Sequence, residues 1–166
     1  MNSDTPLDTN LPAEVVELTN LFGGPSQNAF GSAVFFNPIA PSRPNLEAEA
    51  LAVYKVFVGE SWERFGEAAW LSQWACVHHC NSPTAPSIEA KLKALADRET
   101  RQLADLLLEN HEAGEAARIA FKNVFDSPLV TELGVFKIGD GEAMSGLLLA
   151  AELHERGVVV LAFLMD

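Results

Sequence analysis

The sequence predicts an α+β fold in which several amphipathic helices pack on a small, mainly antiparallel C-terminal sheet. Three observations point there. Apolar residues recur at helical spacing through the first 125 positions. The last forty positions turn to β-branched, apolar runs bounded by glycine-containing turns. Hydrophobic residues make up 48% and charged residues 20%, a globular composition. A chain of 166 residues can bury a core without staples, and no linker divides it, so residues 1–166 read as a single domain.

Residues 1–10 are polar and are expected to fray. Leu11, Val15 and Leu18 then form a short stripe, a helix over about 11–21. Residues 22–44 are interrupted by Gly23, Gly24, Pro25, Pro38, Pro41 and Pro44, and read as an irregular arm held on the core by its phenylalanines. Ser32 to Phe36 is the one stretch of this arm with strand character. Pro44-Asn45 is a helix start, and Leu46, Ala50, Val53, Tyr54, Phe57 and Val58 continue as one face over 45–58. Ser61 is placed to cap a central helix over 61–80. A longer stripe from Ile88 through Leu92, Leu95, Leu103, Leu106 and Leu107 predicts a helix over 87–110. Glu99 falls inside that stripe, where an acid must reach solvent or meet a basic partner. Ala117, Ala120, Phe121 and Val124 mark a helix over 115–125, stopped at Ser127-Pro128.

The sheet is expected from strands over 130–138, 147–153 and 158–165. The middle piece is ambiguous. Gly146 and three consecutive leucines suit a strand with HERG as its hairpin loop; Ala150-Ala151-Glu152 suits a helix, which would make a βαβ crossover and an α/β arrangement. The hairpin is preferred.

The formal net charge is −12, from 23 acidic and 11 basic residues. Phosphate backbones and anionic bilayers repel such a surface, which argues against nucleic-acid and membrane partners. A protein partner, basic in character, fits it better. No apolar run reaches the ~18 residues of a membrane span, and the N-terminus lacks the pattern of a secretory signal. The two cysteines lie only four positions apart, so they could not staple the fold; a cytoplasmic, reduced setting is expected. A small sheet also leaves an edge on which a homodimer could form.

Two stretches carry candidate chemistry. In CVHHC, residues 76–80, a helix would put Cys76, His79 and Cys80 on one stripe and turn His78 away. Those three are the candidate metal ligands, with a fourth to come from His111, His154 or Glu99. Cys76 with His79 could also make a thiol–imidazole pair, although a helix C-terminus disfavours a thiolate. The simpler expectation is that both cysteines fill core space and both histidines cap the helix end.

GDGEAMSG, residues 139–146, is the second. Gly139, Asp140, Gly141 and Ser145 are the candidate ligand-binding residues, because glycines let a backbone approach a ligand and a following helix could hold an anion. It is neither a dinucleotide fingerprint nor a P-loop, and a tight turn explains it as well. Ser145, His154 and Asp140 supply the residue types of a hydrolase triad but lack its G-x-S-x-G elbow. No motif implies a cofactor. The function expected is a small acidic protein-binding or regulatory module that is not an enzyme. The alternatives are a metal- or thiol-dependent enzyme centred on Cys76, His79 and Cys80, and a small-ligand binder at the 139–146 turn.

Overall fold

A computed structural model describes residues 11–25, 30–38, 45–81, 87–109 and 113–165. The expected fraying of 1–10, parts of the arm and His111 lie outside them. The chain is α+β, in the order α1 (Ala13–Phe22), β1 (Gly31–Pro38), α2 (Leu46–Val58), α3 (Ser61–Phe65), α4 (Glu67–Leu71), β2 (Ala75–Cys80), α5 (Ile88–Lys93), α6 (Arg98–Glu109), α7 (Glu115–Phe125), β3 (Val130–Gly139), β4 (Ser145–Leu153) and β5 (Gly157–Met165).

The five strands form one antiparallel sheet in the order β1-β5-β4-β3-β2. The C-terminal meander β3-β4-β5 is its centre, and the two earlier strands add to its flanks. β4 pairs antiparallel with both β3 and β5, which rules out the βαβ crossover. The hairpin wins because a helix would bury only one side of Leu147–Leu153, whereas the sheet buries both. Leu147, Leu149, Ala151 and Leu153 join one core cluster, and Leu148 and Ala150 join the other. β5 splits the same way, with Val159, Leu161 and Phe163 on one face and Val158, Val160, Ala162 and Leu164 on the opposite one.

Helices cover both faces. α1, α5, α6 and α7 pack on the first, anchored by Leu18, Ile88, Leu107, Phe121 and Phe125. α2 and the short α3–α4 pair cover the second with Tyr54, Phe57, Trp62 and Trp70. Asn45 caps α2 as its position suggested, its side chain accepting from the Ala48 amide at 2.8 Å.

Three expectations are corrected. The arm contains a full edge strand, β1, paired with β5 along eight positions from Gly31 to Pro38. The helix over 61–80 is two short helices and a strand. Gly66, at φ 95°, breaks it after one turn in a conformation that only glycine adopts cheaply. The helix over 87–110 is also two. The chain leaves α5 at Ala94, buries Leu95, and restarts at Asp97, whose carboxylate accepts from the Thr100 amide at 3.0 Å. That interruption rotates the later stripe: Leu103, Ala104, Leu107 and Leu108 are buried while Leu106 is 39% exposed.

Candidate functional site

Residues Ala75–Cys80 form β2, paired antiparallel with β3. This removes the helix that was to bring Cys76, His79 and Cys80 together. The register shifts between Cys76 and His78, which pair with Phe136 and Val135 respectively, so Val77 is the extra residue of a bulge. Cross-strand partners share a face, so Cys76 and His79 stand on the α2 side and His78 and Cys80 on the α5–α6 side. The two thiols therefore lie on opposite faces of the sheet. Among the described residues no group of three or more His, Cys, Asp or Glu side chains is placed to hold a metal ion.

Each member of the stretch has its own surroundings. His79 Nε2 lies 2.7 Å from Glu132 Oε2. Cys80 Sγ accepts from the Lys91 ammonium at 3.7 Å. Cys76 is exposed rather than core, and its thiol reaches the His78 carbonyl oxygen at 3.4 Å. Partial burial, joined by the Glu47 carboxylate, pushes that thiol up and disfavours the nucleophilic thiolate. His78 Nε2 is shut away without a hydrogen-bond partner. Burial, Lys91 and His79 together hold its imidazole below the usual range, so it stays neutral.

The 139–146 turn is built into the fold by its own polar groups. The Gly139 amide donates to the buried Tyr54 hydroxyl at 3.1 Å. Asp140 Oδ1 accepts from the amides of Glu142 and Met144, both at 2.9 Å, closing the turn on itself. Burial alone would raise the Asp140 carboxyl; those amides outweigh it and hold it below the usual carboxylate range. Gly141 packs against the Ser72 and Gln73 side chains. A strand follows the turn, not a helix, so no helix N-terminus faces a ligand there. Ser145 and His154 sit at opposite ends of β4, separated by roughly 25–30 Å at strand rise, and do not form a triad with Asp140.

Ser145 Oγ instead donates to Glu99 Oε2 at 3.0 Å. Glu99 also pairs with Lys137 at 3.1 Å, and Lys137 reaches Asp97 at 3.4 Å. Glu99 thus both reaches solvent and meets a basic partner, the two outcomes expected of it, and the partner comes from near the end of β3. Burial pulls the Lys137 ammonium down, and the two carboxylates more than offset it, holding it above its ordinary value.

A further feature was missed in the sequence. α1 and α7 cross over a groove of about 630 Å³, lined by Ala13, Glu14 and Glu17 on one side and Ala116, Ile119 and Asn123 on the other. Its floor is Ala120, fully buried between the helices. Ile119 is 52% exposed, and Val16 of α1 is exposed nearby in sequence to the same lining. Alanines on both helices let the backbones approach, which leaves the larger Ile119 standing at the rim. The available signal was that Val16 and Ile119 are apolar residues lying off the buried stripes of their helices. Among the described residues no helix is long and apolar enough to cross a membrane. No protein-family profile, no curated protein and no solved structure matches this chain.

Proposed function

We propose that this protein is a non-enzymatic binding module that holds a basic, apolar-anchored segment of a partner protein in the α1–α7 groove. The observation that carries this reading is the groove itself, with an exposed isoleucine on its rim and the Glu14 and Glu17 carboxylates along its α1 wall. An amphipathic helix laid in such a groove would bury its leucines against Ile119 and set its lysines against the two glutamates. The net charge of −12 would steer a basic segment toward the protein and repel nucleic acid and anionic lipid. The two free thiols support a cytoplasmic location.

The test is fluorescence anisotropy with a labelled amphipathic peptide of leucine and lysine. Binding should weaken with added salt, because exposed charge pairs are screened within ~10 Å at 0.1 M. Ile119→Glu, at a position already half in water, should keep the fold and weaken binding at least tenfold, ~1.4 kcal/mol. Glu14→Lys with Glu17→Lys should do the same. Equal affinity in wild type and both variants would place the peptide elsewhere and end this reading.

A further inference from the structure

A second hollow, of about 430 Å³, lies on a different part of the surface. It is lined by Lys93 at the end of α5 and by Arg98, Arg101, Gln102 and Asp105 of α6. Three of the eleven basic residues of a strongly acidic chain meet here. Two other cations are paired: Arg118 with Glu89, and Lys137 with Asp97 and Glu99. Lys93 feels the Glu89 carboxylate at longer range. Among the described residues, none of Lys93, Arg98 and Arg101 has a side-chain hydrogen bond or an ion pair. Arg101 goes further, since its Nε is shut off from solvent with no acceptor.

That arrangement is costly for the empty protein. A buried guanidinium N–H without an acceptor forfeits its hydration, and three like charges around one hollow repel. An oxyanion in the hollow would offset the second cost; the Arg101 Nε, shut off from solvent, stays out of its reach. Two guanidiniums offer planar, paired donors that match phosphate oxygens, and an ammonium adds a point charge. Asp105 is the exception in the lining. Its carboxylate opposes a bare anion, and can be used only by a ligand that also brings a hydrogen-bond donor. Gln102, beside it, can donate or accept. The hollow is also large for phosphate alone.

We propose that this hollow binds the phosphate monoester of a small hydroxylated molecule. Arg98, Arg101 and Lys93 hold the phosphate, and Asp105 and Gln102 take its hydroxyls. The site is separate from the α1–α7 groove and does not depend on it.

The full chain is titrated with ribose 5-phosphate, inorganic phosphate, ribose and a phosphoserine peptide, by calorimetry and by thermal melting. Ribose 5-phosphate should raise Tm in proportion to the logarithm of its concentration, less so at high salt, and ribose should not. Arg98→Gln and Arg101→Gln should each weaken binding at least tenfold. Because Arg101 is unpartnered, the ligand-free Tm of Arg101→Gln should equal or exceed that of wild type, a result that a structural role for Arg101 would reverse. Arg98 is exposed, so its variant keeps the test intact should Arg101→Gln fail to fold. No rise in Tm with ribose 5-phosphate, or a rise unchanged in both variants, overturns the site. Equal affinity for inorganic phosphate overturns the role given to Asp105 and Gln102. Tighter binding of the phosphoserine peptide overturns the small-molecule assignment.

Discussion

Tyr54 lies at a junction of the molecule. Its ring stacks on Trp74, which stacks in turn on Phe136, with centroids 5.6 and 4.8 Å apart. Its hydroxyl donates to the Trp70 carbonyl at 2.7 Å and accepts from the Gly139 amide at 3.1 Å. One buried oxygen therefore ties α2, α4 and the end of β3 together, and burial keeps its phenol protonated, above the ordinary range. Tyr54→Phe leaves a buried N–H and a buried C=O unpaired while preserving the ring. It should cost about 1–3 kcal/mol, read as a lower urea midpoint at unchanged m-value. A loss below about 0.5 kcal/mol would mean that the hydroxyl network contributes little. In the sequence Tyr54 was legible only as one more member of an apolar stripe; its partners lie 16 and 85 positions away.

At the scale of elements, β4 and β5 show how local and long-range preferences combine. Their connection places Glu155 at φ 60°, the one non-glycine residue among those described with a positive φ. The register Leu153↔Gly157 fixes that geometry, so the turn tolerates the strain because eighteen strand residues hold it. Glu155→Gly should relieve it and raise stability by roughly 0.5–1 kcal/mol, about 1–4 °C in Tm for a chain of this size. A lower Tm would show that the glutamate side chain contributes more than its backbone costs. β2 carries the opposite lesson. Its six residues include two histidines, two cysteines and one β-branched residue, a weak strand signal. It forms because β3 presents an unpaired edge, and α4 has already stopped at Leu71.

Across the whole molecule, stability should peak near neutral pH. Glu89 is held below the usual carboxylate range by its hydrogen bond to Arg118, and Asp97 by its hydrogen bond to Thr100. Asp140 is low as well. Groups lowered by folding add stability that is present above their unfolded values and lost as pH falls through the folded ones. His78 obeys the same sign. Its imidazole is lowered by burial and by Lys91 and His79, so the unfolded chain takes up its proton first, from about pH 6.5 downward. Cys76 and Lys137 are raised, and their contributions fade on the alkaline side. Urea midpoints measured from pH 5 to 9 should fall below pH 6.5 in wild type, and His78→Gln should flatten that acid limb. An identical limb in the variant would assign the loss to other groups.

Periodicity alone set the stripes of α1, α2 and α7, the strands β3 and β5, and a preference for the hairpin over the crossover at β4. These rest on neighbours within a few positions, whose burial pattern is written directly in the order of apolar and polar residues. Only the tertiary structure decided the fate of CVHHC, the second break at 94–97, the pairing of Glu99 with Lys137, and the two surface hollows. Each depends on which distant element supplies a sheet edge, a counter-charge or a facing wall. A linear pattern records how apolar a face is, and does not record what covers it.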